Sequence, residues 1–407
     1  MNPGSPSVAA AVRRFRRRFG ENPQAVSFAP GRINIIGEHV DYCGLPVLPA
    51  ALGAGIAVAF RHHPRRRLSC VSRGYGEAAF DLDDPPATGF GRYPGAAASA
   101  LRSRAWLGPD LSGVEAVIAS DLPEAAGLSS SSALVVATAL ALLAANGALC
   151  PGERIPPVRM RRLARDLAAS EHGVAIAGGA MDQSVSLGAV PGHALHLAFD
   201  PPAWEPVPID PDRFRFIAVF CGRRADKGAA AGAVFDERVR ESHAALREAR
   251  RMSGAEGPTT ELVGALSRRA REEVIRRLPA PLDRRLRHIL SEADRTERAV
   301  SCLCRGDARG LGVLLDASHE SLRRDYEVST PELDALVAEA RAAGAFGARL
   351  TGAGFGGSAV VLTAPASERA VRRRLRARFG GSPEALRPDG EWLLDGAPSG
   401  GAVLLPV

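Results

Sequence analysis

The stretch GRINIIGEHVDYCGLPVLPA, residues 31–50, sets Arg32, Glu38, His39 and Asp41 between two apolar runs. One histidine with two carboxylates can ligate a metal, and a carboxylate beside an arginine can move a proton. The same groups can hydrogen-bond the hydroxyls of a sugar, or they can simply form a solvated turn. On this stretch alone all four readings stand.

A second chemical segment, DLPEAAGLSSSSALVVATAL, places Gly127, Leu128 and the four serines Ser129, Ser130, Ser131 and Ser132 directly before a helix-forming run. A helix start presents unpaired N–H groups and partial positive charge, so such a loop can cradle phosphate oxygens while a serine hydroxyl ligates Mg²⁺. No lysine follows at the spacing of a Walker A loop, and the plain alternative is a serine N-cap on a core helix. A third segment, RLTGAGFGGSAVVL, carries Gly352, Gly354, Gly356 and Gly357 between apolar runs. It can let backbone approach a ligand closely, or it can be a hairpin turn. Glu171 and Asp182 flank the bend EHGVAIAGGAMDQ, which is otherwise nearly free of charge. A carboxylate in such surroundings has to be paired or do chemistry. Asp182 can take a proton from a substrate hydroxyl, and Glu171 can complete a Mg²⁺ site with a loop serine; two helix-cap carboxylates are the alternative.

These groups need elements to hold them. Apolar residues at helical spacing predict a helix over 8–19 that stops at Gly20, with its arginines on a solvated face. Strands are expected over 25–36, 46–60 and 114–119, then a buried helix from Ala133, a helix over 158–172 and a strand over 194–198. The proline-rich run FDPPAWEPVPIDPD from Phe199 suits a domain junction. Beyond it come a strand over 214–220, charged amphipathic helices between Phe235 and Asp325, and a helix–strand–loop–strand unit from Pro331 to Leu362. The pattern predicts two α+β domains, residues 1–198 and 199–407.

Composition narrows the function. With 407 residues, 46% of them hydrophobic, the chain can bury a large core. No apolar run approaches the roughly 18 residues of a membrane span, and the arginine-rich start lacks a secretory h-region, which points to the cytoplasm. The six cysteines are scattered without metal-ligand spacing, as in a reduced compartment. A net charge of +7 is spread over short arginine clusters without interleaved aromatics, so no nucleic-acid module, membrane anchor or obligate protein partner is indicated. Among the 52 basic residues the only lysine is Lys227, in RRADKGAA, which singles that position out.

Taken in order, PGRINIIGEHVDYCG, PEAAGLSSSSAL and TGAGFGGS, with GGAMDQSVSL between them, resemble the signature set of the galactokinase family. That family lies within the small-molecule kinases that include homoserine, mevalonate and phosphomevalonate kinases. The resemblance runs from FRRRFGENP to SHESLRRDYEVSTPELD and the last strand-like residues, essentially the whole chain. It implies an N-terminal domain like ribosomal protein S5 domain 2 and a ferredoxin-like C-terminal domain, with ATP and sugar in the cleft between. It implies transfer from ATP to the anomeric C1 hydroxyl of galactose, with Mg²⁺ as cofactor. On the same basis Asp182 is the catalytic aspartate with Arg32 beside it. Glu38, His39, Asp41 and the Gly179 backbone would meet the sugar. Gly127 to Ser132 would wrap the nucleotide phosphates with Gly352 and Gly354, Lys227 would be a phosphate-side or sugar-side cation or else a plain surface lysine, and Ser131 and Glu171 would ligate the metal. Leu45 and Phe235 depart from a glycine and a tyrosine usual in galactokinases proper and look closer to the N-acetylgalactosamine kinase-like subgroup. Two alternatives therefore stand beside galactose: N-acetylgalactosamine as substrate, and a catalytically silent sugar sensor.

Overall fold

The computed structural model describes residues 5–108, 111–172, 179–225, 229–380 and 392–407. Its first sheet is built on β1 (Ala25–Ile36) and β2 (Leu48–His63), with β3 (Arg67–Ser72), β4 (Gly76–Asp81), β5 (Gly113–Ser120) and the chain's last strand, β12 (Val403–Leu405). The order is β12-β1-β2-β5-β3-β4, antiparallel except where β3 runs parallel to β5. Alternation along the strands sorts the two faces. Val26, Phe28, Ala57, Ala59, Val117 and Ala119 pack under α1 (Pro6–Phe19), which Gly20 closes in a left-handed conformation. Ile56, Val58, Phe60, Ala116 and Ile118 face the other way, into the main core.

On that second face lie α2 (Arg92–Ser103), α3 (Ser130–Ala145), α4 (Pro157–His172) and α5 (Met181–Gly188). Helix α3 is apolar all round because it is central, buried from Ser132 to Leu143. Each buried leucine or valine there stabilises the fold by about 1.5–3 kcal/mol relative to exposure.

The second sheet, β11-β8-β10-β9, is antiparallel and made of β8 (Arg215–Phe220), β9 (Gly347–Thr351), β10 (Ser358–Thr363) and β11 (Leu393–Asp395). One face, with Ile217, Val219, Ala359 and Val361, packs with α11 (Pro331–Ala342) and α12 (Pro365–Phe379). The other, with Phe216, Ala218 and Val360, joins the same core as the first sheet. A third cluster gathers α6 (Ala229–Ser253), α7 (Thr259–Ala265), α8 (Arg268–Arg277) and α9 (Leu282–Arg305) around Val40, Leu45 and Val47. Helix α10 (Ala308–Ser321) runs on into a π-helical turn, Leu322–Tyr326.

The proline-rich run expected at a junction contains a strand. It forms β7 (Pro202–Pro208), paired with β6 (His193–Phe199) in a two-stranded hairpin. Its prolines are tolerated because a hairpin edge leaves one row of backbone positions without a partner strand. Among the described residues no helix is long and apolar enough to cross a membrane.

Candidate active site

Three segments meet at one carboxylate. Strand β1 is wholly buried but carries a register shift between Pro30, opposite Gly55, and Arg32, opposite Ala51, so that Gly31 has no partner and the ladder is irregular beside Arg32. Its Nε donates to Asp182 Oδ1 at 2.9 Å and its Nη1 to the Gly127 carbonyl at 2.6 Å. Asp182, in the first turn of α5, accepts on its other oxygen from Ser129 Oγ at 2.5 Å. Ser129 sits at the N-cap position of α3 with φ 59°, and its side chain makes no capping bond. The serine N-cap alternative therefore gives way to a hydroxyl aimed at Asp182. The Leu128 carbonyl accepts from the Arg32 amide at 3.1 Å, fixing the loop to the strand.

The two glycine-rich loops touch. A Cβ on Gly352 would lie 2.5 Å from the Gly127 carbonyl oxygen, so only glycine permits this approach. Gly354 is similarly close to the Val328 backbone, where a Cβ would lie 2.3 Å from the carbonyl oxygen.

Glu38 and His39 form a second group, almost wholly buried. Glu38 pairs with Arg349 at 2.5 Å and accepts from the Gly352 amide at 3.0 Å. Burial pushes its carboxyl up, and Arg349 and then Arg32 oppose that push. His39 Nδ1 lies 2.9 Å from the Tyr42 hydroxyl and Nε2 3.2 Å from the Ala353 carbonyl oxygen. Burial drives its imidazole down to about 3, so the ring is neutral at ordinary pH. The Phe235 ring lies tilted beside it, with ring centroids 5.6 Å apart.

Asp41 and Gly179 are neighbours: a Cβ on Gly179 would fall 2.1 Å from Asp41 Oδ2. Burial, and next the charge of Asp182, raise the Asp41 carboxyl to about 7. Ser131 and Ser130 are half-buried in the first turn of α3, with Ser132 buried beyond them. Glu171 is buried in the last turn of α4 and accepts from Gln183 at 2.6 Å. Lys227 lies outside the described residues.

The supporting residues were not read from the sequence. Arg349, the one charge inside the apolar strand β9, carried a signal in GARLTGAG. Glu292 carried none. It is fully buried on α9, where it accepts from the Gly37 and Glu38 amides at 3.0 and 3.2 Å, yet it is one of many charges in that helix. Tyr326 likewise gave no sign that the turn after α10 would bring it to within 4.7 Å of the His39 ring.

Known proteins match this arrangement along the chain. Residues 13–62 match the galactokinase galactose-binding signature, 92–188 the GHMP kinases N terminal domain and 299–381 the GHMP kinases C terminal model. A galactokinase of Streptomyces coelicolor is 35% identical, covering 92% of this chain and 93% of its own. The Homo sapiens galactokinase is 34% identical over 92% of this chain and 93% of its own. The crystal structure of Lactococcus lactis galactokinase complexed with galactose superposes with a TM-score of 0.81 at 26% identity, covering 97% of this chain and 99% of that one. L. major mevalonate kinase, at 18% identity, shares the fold with a TM-score of 0.59 over 94% of this chain and 98% of its own. The chain belongs to the galactokinase family of ATP-dependent sugar kinases.

Proposed function

We propose that the chain converts galactose and ATP to galactose 1-phosphate and ADP through Asp182, which receives or orients the proton of the C1 hydroxyl. One observation carries the assignment: both carboxylate oxygens of Asp182 are already held, by Arg32 and by Ser129, beside the loop that opens α3. Its side chain keeps 26% exposure, leaving lone pairs for a third donor from the substrate side. Phosphoryl transfer asks mainly for positioning and charge stabilisation. The first-turn amides of α3 provide donors for phosphate oxygens, and Arg32 adds a fixed positive charge between the loop and Asp182.

Ser131 and Glu171 fit Mg²⁺ by donor chemistry, since both offer hard oxygens. Among the described residues there is no cluster of three or more metal-ligating His, Cys, Asp or Glu side chains. A site of this kind suits an ion that takes its remaining ligands from phosphates and water. Gln183 bonds Glu171 while its own buried Oε1 has no hydrogen-bond partner, a second polar group at the same place. When bound, the ion would neutralise phosphate charge. We read the cleft as lying between residues 1–198, which supply Arg32, Ser129 and Asp182, and residues 199–407, which supply Phe235, Arg349 and the glycine turn. We place the reaction in the cytoplasm, in keeping with six cysteines that form no disulfide.

Asp182→Asn is the direct test. Turnover should fall by about 10²–10⁴-fold while calorimetry shows galactose binding within about threefold. A variant that keeps most of its activity ends this role for Asp182, and a wild type that binds sugar without turnover is a sensor. N-acetylgalactosamine is favoured by one feature, the absence of a hydroxyl on Phe235, whose ring lies 6.0 Å from that of Tyr42. A bulkier 2-substituent would gain room there. Comparing kcat/KM on the two sugars, with glucose and arabinose as controls, decides between them.

A further inference from the structure

The protons around His39 can be assigned one by one. Nε2 faces the Ala353 carbonyl at 3.2 Å, and a carbonyl oxygen only accepts, so Nε2 carries the hydrogen. The ring is 4% exposed among Tyr326, Phe235 and Tyr42 and is neutral, so Nδ1 is a bare acceptor. The Tyr42 hydroxyl, 2.9 Å away, must donate to it. Having spent its one proton, Tyr42 must accept from the Tyr326 hydroxyl at 2.7 Å. With its proton on Tyr42, Tyr326 has none for the Arg238 carbonyl 3.4 Å away, so Ser242, 2.6 Å from it, is the donor there and gives up its own 2.8 Å contact with that carbonyl. With Nε2–H on the Ala353 carbonyl, the hydroxyl chain from Ser242 of α6 through Tyr326 and Tyr42 to His39 runs one way.

Tyr326 is held firmly. It ends the π-helical turn after α10, a device that re-aims a side chain within a helix. Its ring lies 4.6 Å from His288 and is capped by Arg285 at 5.8 Å. Arg285 is itself buried and paired with Glu241 and Glu327, each at 2.7 Å.

We propose that the Ala353 carbonyl at Nε2 and a directional hydroxyl relay of Tyr326 and Tyr42 at Nδ1 together hold His39 as the Nε2–H tautomer, making it a hydrogen-bond donor to an oxygen of the bound sugar. Tyr42 and Tyr326 are thus positioning residues, acting on the sugar through His39. A sugar oxygen would compete with the Ala353 carbonyl for the same proton. In the opposite tautomer the hydroxyl chain would reverse toward the Arg238 carbonyl, and a bare Nε2 would face the Ala353 carbonyl oxygen lone pair to lone pair, which disfavours it. The inference rests on the reading of His39 as a sugar contact.

Nitrogen NMR of histidine-labelled, sugar-free protein tests the tautomer without reference to any substrate, with the His39→Ala spectrum supplying the assignment. Nε2 of His39 should resonate as a protonated nitrogen and Nδ1 as a hydrogen-bonded acceptor; a proton on Nδ1 overturns the relay. Tyr42→Phe should shift Nδ1 toward the unbonded position and raise KM for galactose about tenfold, with kcat and KM for ATP within about twofold. Tyr326→Phe, which leaves Tyr42 in place, should raise it about two- to threefold and serves alone if Tyr42→Phe does not fold. An unchanged KM for galactose, or parallel rises for both substrates, overturns the proposal. A wild type that gives the expected nitrogen spectrum but does not use galactose instead overturns the functional reading.

Discussion

Arg349 and Glu38, 311 residues apart in the chain, form an ion pair of 2.5 Å in which the guanidinium has no exposure. The pair ties the second sheet to the loop that follows β1. Arg349 also donates to the Ile35 carbonyl at 3.1 Å, so it holds the backbone at the end of β1 and the Glu38 side chain of the loop that follows. Removing one partner strands a buried charge. Arg349→Met should therefore cost about 3–5 kcal/mol, read as a lower urea midpoint with unchanged m. Adding Glu38→Leu should restore part of that stability, because the orphaned carboxylate goes with it, while galactose turnover stays lost. Strictly additive losses in the double variant would show that the two residues are not coupled.

Gly179 is set against Asp41 without room for a side chain, since a Cβ would fall 2.1 Å from the carboxylate. Gly179→Ala should displace Asp41 and raise KM for galactose about tenfold, with KM for ATP nearly unchanged. The thermal midpoint should move little, because Gly179 is only partly buried and lies outside any helix or strand. Equal rises in both KM values would mean that the substitution disturbs the cleft as a whole.

What the sequence revealed and what it hid divide along physical lines. Strand β1 was legible to its end residues, because β-branched and small apolar side chains recur from Ala25 to Ile36, interrupted by Ser27, Arg32 and Asn34. Helix α3 was legible because the serine loop and the apolar run adjoin. The small strands β3 and β4 were missed: their exposed faces carry Arg67, Glu77 and Asp81, and no continuous apolar face marks them. At the site, residues local to a motif could be named, and Arg32, Ser129 and Asp182 do converge. The supports could not. Arg349, Glu292 and Tyr326 lie some 250 to 310 residues from the loop they hold, and such long-range partnering leaves no local pattern to read.

Helix α9 grips Glu38 from both sides: Glu292 takes its amide at 3.2 Å and His288 donates to its carbonyl at 3.1 Å from one turn earlier. Burial pushes the Glu292 carboxyl up, but Arg295 above all overrides that and holds it at about 2. Glu292→Gln keeps the shape yet turns one acceptor into a donor facing Arg295, 2.7 Å away. It should cost about 3 kcal/mol or more in urea unfolding. The sign with pH follows. The folded value lies below 4.5, so the stabilisation is present above about 4.5 and fades as pH falls toward about 2. Wild type and Glu292→Gln should therefore converge in stability at acid pH; a gap that stays constant down to that range would contradict the ionised anchor.

Asp41 has the opposite sign. Its folded value, about 7, lies above the ordinary 3.8, because burial and then Asp182 disfavour its charge. The folded chain thus holds a proton there that the unfolded chain releases. Asp41's contribution to stability is full below about 3.8 and is lost as pH rises through about 7. A sugar bound at Asp41, as proposed, would reverse the preference, since hydroxyl donors are best met by the ionised carboxylate. KM for galactose should accordingly fall about tenfold between roughly pH 6 and pH 8, with the bend near neutrality and KM for ATP flat. Asp41→Asn removes the titrating group and should abolish the bend while raising KM throughout. If the bend survives in that variant, another group sets the pH dependence and the sugar meets Asp41 in its protonated form.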